Sequence, residues 1–344
     1  MQLGVMSFGD RRSGADGTWT PVAQSLKEQL ERIQLAEQVG LDFYGLGEHH
    51  IESYAISNPG TVLAAASSVT ERITLGTAVS VVSTDDPVRL FQQFTTLDQL
   101  SAGRAEIMAG RGSFTESYPL FGASLNDYEA LFDEKIQLLL RLSEESPITW
   151  SGRFRAALDQ ALVLPRPFGE RLSVSIGTGG NPQSSVRAGM LGAPVVYAVI
   201  GGQPERFAPL VDLYRRASEQ AGNAARQHVT MTAVGLIADR SQDAKNTFYP
   251  YWNQVMEYGA QARGWSVPSR VDYDHMTQGG DMIFAGSPDE IAARLISVGQ
   301  LTKADRYFLQ MDWGGVPHGH VMKAIELLGT RVKPQVDEAF GSRD

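Results

Sequence analysis

No cysteine occurs in the 344 residues, so disulfides, thiolate nucleophiles and zinc–thiolate centres are all excluded. Clustered positive charge is also missing. Lys and Arg number 30 against 39 Asp and Glu, for a net charge of -9, and neutralising a phosphate backbone needs a basic patch. No nucleic-acid partner is expected. No apolar run approaches the ~20 residues of a membrane span, and the amino terminus lacks a basic, cleavable leader, because residues 2–8 read as a strand from the start. We therefore expect a cytoplasmic protein without a membrane partner. A dinucleotide fingerprint is absent too: in Gly177-Thr178-Gly179-Gly180-Asn181-Pro182 a proline stands where G-x-G-x-x-G needs its last glycine.

What is present alternates. After the first strand, Leu26, Leu30, Ile33 and Ala36 recur at helical spacing until Gly40 stops the helix. Residues 42–50 read as a second strand, and Asn58-Pro59 opens a helix, proline being preorganised for the first helical position. Residues 72–82 are apolar and β-branched, like a strand buried on both faces. Pro87 then starts a helix carrying Leu90, Phe91, Phe94 and Leu97. Further strands at 104–110, 172–177, 194–200, 229–238 and 306–311 bring the number to eight, with helices at 128–142, 183–191, 205–220, 243–262, 289–298 and 318–328 between them. The expected fold is one (β/α)8 TIM barrel, about 250 residues in its usual form, with rim insertions at 113–170 and 263–280. A doubly wound sheet is the alternative. The first insertion should hold a hairpin turning near Ser151-Gly152. The second lacks periodicity and is expected to be a mobile lid. Small residues over 61–68, together with Phe91 and Phe94, suggest that the helices after strands two and three meet in a homodimer.

Three features carry chemistry. Glu48, His49 and His50 close the second strand, and barrel strands deliver catalytic groups at their carboxyl ends. Gly179, Gly180 and Asn181 lie between a strand and a helix, where backbone N–H groups favour an anion. Arg111 stands between Gly110 and Gly112 just after a strand, its planar fork suited to phosphate oxygens. A metal-dependent hydrolase using Glu48, His49 and His50, with His318 and His320, is a second possibility. Against it, neighbouring residues of a strand point to opposite faces, which makes joint ligation by His49 and His50 awkward.

The order of several short words resembles the flavin-dependent luciferase-like monooxygenases and the bacterial luciferase alpha subunit: Gly47-Glu48-His49-His50, Asn58-Pro59, Leu75-Gly76-Thr77-Ala78, Asp86-Pro87-Val88-Arg89, Leu97-Asp98-Gln99-Leu100-Ser101, Gly103-Arg104 and Arg111-Gly112. The resemblance thins through Gly286-Ser287-Pro288 to Trp313-Gly314-Gly315 but covers essentially the whole chain. It implies reduced FMN bound at the carboxyl end of a barrel, supplied by a separate flavin reductase, and a peroxyflavin that oxidises a small organic substrate. It further implies His49 as the catalytic histidine, with Glu48 and His50 beside it, and Arg111 and Ser184 on the FMN phosphate. The Ala78-Val79 bond corresponds to a non-proline cis peptide under the flavin ring. A deazaflavin (F420)-dependent dehydrogenase shares this resemblance and is the nearest rival; a barrel that only binds flavin is a third reading. Two departures stand out. Gly110 replaces a cysteine of luciferase and Asp86 a histidine, so the resemblance does not extend to light emission from a long-chain aldehyde.

Overall fold

A computed structural model describes residues 1–341 other than 15, 113, 200, 265, 279 and 280, and only the backbone of 262 and 263. Eight parallel strands close into a ring: β1 (Gln2–Ser7), β2 (Phe43–Leu46), β3 (Thr74–Thr77), β4 (Ala105–Gly110), β5 (Ser173–Thr178), β6 (Val195–Tyr197), β7 (Val229–Ile237) and β8 (Arg306–Gln310). The closing pairs are β6 with β7, β7 with β8 and β8 with β1. This is the (β/α)8 TIM barrel expected from the alternation. The strands are apolar because both their faces are covered; all nine positions of β7 are buried.

The outer layer contains α1 (Val22–Gln38), α2 (Pro59–Ser67), α3 (Pro87–Leu100), α4 (Tyr128–Glu144), α5 (Pro182–Met190), α6 (Ala208–Gln220), α7 (Ser241–Arg263), α8 (Arg270–Met276), α9 (Pro288–Thr302) and α10 (His318–Leu327). Their starts follow from local chemistry. Asn58 accepts the Thr61 N–H at 3.1 Å ahead of Pro59, and Asp86 accepts those of Val88 and Arg89 at 2.9 and 3.1 Å ahead of Pro87, satisfying amides that a helix leaves unpaired. Asp86 also binds Arg155 at 3.2 Å, so it serves the scaffold.

The barrel interior is filled from the amino end. Phe43 stacks on Phe308 with ring centroids 4.2 Å apart. The space is made by glycines, since a Cβ on Gly76 would lie 2.6 Å from the Phe43 ring and one on Gly45 2.8 Å from it. Beneath the pair, Arg306 binds both oxygens of Glu106 at 2.7 and 3.2 Å and the Gln2 side chain at 2.7 Å. Burial alone would raise Glu106, but the facing guanidinium holds its carboxyl below the usual range.

Several expectations change. The strand expected over 72–82 is interrupted: β3 stops at Thr77 and a two-residue segment, Ser80–Val81, pairs separately with β4. A short strand, Ile283–Gly286, adds to the carboxyl half of β7 and was not expected. The hairpin is present as Ile148–Trp150 against Leu158–Ala161. Residues 263–280 are not one irregular loop, because α8 occupies their middle behind a capping box formed by Ser269 and Asp272. Tyr273 is fully buried against Tyr249 and Trp252 of α7, which anchors this helix. Phe91 and Phe94 are likewise fully buried within the chain itself, so they supply no surplus apolar surface for a partner. Ser113, Ile200 and Gly280, the ends of three expected segments, lie outside the described residues.

Candidate active site

A cavity of about 340 Å³ opens at the carboxyl ends of the strands, at the lower end of the ~300–1,000 Å³ typical of small-molecule sites. Its floor is apolar, made by Met6, Phe8, Ala78, Val79, Met108 and Val196. The Ala78–Val79 peptide is cis. Val79 fills the space over two glycines: a Cβ on Gly110 would lie 2.4 Å from its side chain and one on Gly177 3.0 Å. A side chain at position 110 would collide with Val79.

At one side of the floor, His49 is 7% exposed and its Nδ1 lies 2.8 Å from Glu116 Oε1. Rings of Phe8, Tyr54 and Phe114 surround the imidazole with centroids at 4.9, 4.3 and 4.5 Å. Burial pushes the Glu116 carboxyl up, but hydrogen bonds from His49 and from its own and the His50 backbone amides bring it below the usual carboxylate range. An ionised Glu116 assigns the proton to Nδ1 and leaves Nε2 as the other functional nitrogen. Glu48 accepts the Val81 N–H at 2.7 Å. Burial, opposed by that bond and aided by Asp85 and Glu116, pushes its carboxyl up to about 7. The neighbouring His50 lies edge-on to Phe121 at 5.2 Å, and burial moves its imidazole below the usual histidine range.

At the other side, Arg111 donates to Ser184 Oγ at 3.1 Å and pairs with Glu129 at 2.5 Å. Glu129 also pairs with Arg187 at 3.3 Å. Two guanidinium groups and a hydroxyl thus converge near the start of α5, with a surface carboxylate, 57% exposed, among them. The glycine turn contributes less than its sequence suggests. The amides of Gly180 and Asn181 point back to Thr178 Oγ1 at 3.3 and 3.4 Å, and the Asn181 side chain caps its own helix through Gln183.

A third polar feature lies where β1 meets β8. Asp312 accepts Ser7 Oγ at 2.5 Å and Arg32 at 2.9 Å. Asp10, on the cavity wall, accepts Gln310 Nε2 at 3.1 Å and the Gly314 N–H at 2.9 Å. Burial and the facing Asp312 push Asp10 well above the usual carboxylate range. Burial raises Asp312 as well, opposed by the Arg32 guanidinium and the Ser7 hydroxyl.

Of the residues expected at the site, Glu48, His49, His50, Ala78, Val79, Arg111 and Gly179 line this one cavity. Ser184 reaches it through Arg111, whereas Gly180 and Asn181 sit behind the turn. His318 does not join them: its ring nitrogens meet Glu31 at 2.9 Å and Arg32 at 3.2 Å. Among the described residues, no group of three or more His, Asp or Glu is set to hold a metal ion, and none from 263–280 lines the cavity. Phe114, which lines the cavity, stacks on Tyr258 of α7 at 5.9 Å. Glu116, Asp10, Arg187 and Glu129 were missed in the sequence. Only Glu116 left a signal, as an acid in the loop directly after the strand that carries Arg111.

Residues 1–303 match the family model described as luciferase-like monooxygenase. An alkanal monooxygenase alpha chain of the Kryptophanaron alfredi symbiont is 23% identical over 244 residues, covering 68% of each chain. The oxygenating constituent of 3,6-diketocamphane monooxygenase from the CAM plasmid of Pseudomonas putida, solved in complex with FMN, superposes with a TM-score of 0.75 at 19% identity, over 98% of this chain and 99% of that one. An F420-dependent secondary alcohol dehydrogenase, solved with an F420–acetone adduct, gives 0.73 at 16% identity over 100% and 99%. The two structures are evidence of a shared fold alone. The family match spans most of the sequence, and the chain belongs to the luciferase-like monooxygenases.

Proposed function

We propose that the cavity binds FMN in its reduced form, delivered by a separate flavin reductase, and that the chain is a monooxygenase acting with O2 on a small organic substrate. The observation that carries this reading is the arrangement along one cavity: Arg111, backed by Ser184, at one end, an apolar floor, and the His49–Glu116 pair at the other. A phosphate suits the first, a flat aromatic ring the second. When bound, reduced flavin supplies the electrons and the reaction with O2.

The residues of this chain then divide the remaining work. Arg111 and Ser184 hold the phosphate and fix the ring's position along the floor. Val79, on the apolar floor, would support the flat ring. His49, oriented by Glu116 through Nδ1, offers Nε2 as a general base or hydrogen-bond partner for the reacting atoms. The aromatic rings around it exclude water.

The same cradle suits the phosphate of a deazaflavin, so the test titrates both cofactors. Under anaerobic conditions the pure protein should bind FMN and reduced FMN more tightly than F420, followed by flavin fluorescence and absorbance. Preferential binding of F420 would replace the monooxygenase by a dehydrogenase. Assembly as a homodimer rests on the family resemblance together with the small residues of α2 facing solvent, and a monomeric mass by light scattering would remove it.

A further inference from the structure

Beside the reaction cavity lies a second pocket of about 160 Å³, on the flank of the barrel between the β2 loop and the starts of α2 and α3. Its lining is polar where the first is apolar: Ser57, Asn58, Ser80, Thr84, Asp85 and Gln93. Ser80 lines it, is 2% exposed, and its buried Oγ has no hydrogen-bond partner within the described residues. A polar space of this volume has room for water. Glu48 and His50 are the two residues that line both spaces.

We infer that Glu48 is a proton relay between the reaction cavity and water in this side pocket, so that protons cross the barrel wall while the reaction cavity stays dry. The inference rests on the reading of the cavity as a reaction site, and it adds the route by which that site exchanges protons with solvent.

The geometry suits a relay. The Val81 N–H holds one carboxyl oxygen at 2.7 Å and leaves the other to carry the proton. Burial has moved the acid to about 7, where gain and loss of a proton are equally accessible at neutral pH. The charged or titratable groups facing it are Asp85 from the approach to α3, Glu116 from the loop after β4, and His49 and His50 from its own loop. Lys135 of α4 fixes the Asp85 segment by binding the Ser83 and Asp85 carbonyls, each at 2.8 Å. In the transfer, the O–H bond of the Glu48 acid breaks as a basic oxygen in the reaction cavity takes its proton. The carboxylate then takes a proton from a side-pocket water, and the hydroxide left behind is neutralised by buffer at the pocket mouth. No electrons move.

The test needs no flavin, so its failure is separate from a failure of cofactor binding. In the full-length protein, the infrared carbonyl band of protonated Glu48 is identified by its disappearance in Glu48→Gln, which keeps the acceptor for the Val81 N–H. Rapid mixing into D2O then follows the shift of that band as the proton exchanges. Thr84→Val with Gln93→Leu makes the side-pocket wall apolar at nearly constant volume, and neither residue lines the reaction cavity. Exchange should slow by an order of magnitude in the double variant and by less in each single one, with the band's pH midpoint still near neutral. Should the double variant fail to fold, the single variants carry the same comparison. Exchange at the parent rate in the variants, or a Glu48 that is ionised throughout the neutral range, would overturn the inference.

Discussion

Arg111 and Glu129 make opposite predictions for one ligand. Arg111 is 15% exposed and donates to Ser184 and Glu129. A phosphate that replaces the carboxylate at this guanidinium gains a charge-assisted bond worth about 1.5–3 kcal/mol. Arg111→Ala should therefore weaken FMN roughly 10- to 150-fold. Glu129 has to leave before the phosphate arrives, and an exposed pair of this kind contributes at most about 1 kcal/mol. Glu129→Gln should tighten FMN by no more than about fivefold, less at high salt because the pair is screened. The gain should shrink in an Arg111→Ala background, where only the 3.3 Å contact with Arg187 remains to be relieved. Anaerobic calorimetry with FMN reads both effects, and riboflavin, which has no phosphate, provides the control that neither substitution should move. If riboflavin lost affinity in step with FMN, or if Glu129→Gln weakened binding, the phosphate would not lie where the cradle is placed here.

Other expectations follow from the same contacts. His49→Ala should keep flavin affinity and lose turnover by about 10²–10⁴-fold, the usual worth of a general base; loss of binding instead would reverse the ring's orientation. Glu48 takes up its proton at about 7 in the fold against 4.5 for an ordinary glutamate. A raised carboxyl favours the fold fully below the lower value and loses that advantage as pH rises through the higher one, a cost on the order of 3 kcal/mol. Glu48→Gln should thus melt increasingly above the parent from about pH 5 to about pH 8, and a constant difference in Tm would contradict this. Phe43→Ala should cost about 3–5 kcal/mol in denaturant unfolding, because the stacked ring fills space cleared by Gly45 and Gly76.

The ring of strands was legible because parallel strands covered on both faces are written as continuous apolar runs, and the helix starts because Asn58, Asp86 and their following prolines carry the capping chemistry themselves. Ile283–Gly286 was not legible, being four residues long and without alternation. The α8 helix had a signal, Ser269 three residues before Asp272, hidden by poor periodicity around it. The site divides in the same way. Glu48 to His50 and Arg111 are announced by their position after strands. Glu116 meets His49 across 67 residues of chain, and Asp10 meets Gln310 across 300, distances over which only the closed barrel supplies the neighbour.

The salt bridge between Arg306 and Glu106, with Phe43 and Phe308 above it, stoppers the amino end of the barrel. The reaction cavity is consequently closed at its amino end. Two ligands that share such a space must queue: the one that lies against the floor enters first and departs last, and a product formed above it has to clear the mouth before the lower ligand can be exchanged. Steady-state kinetics should then be ordered, and surplus substrate should inhibit by trapping the spent cofactor underneath it.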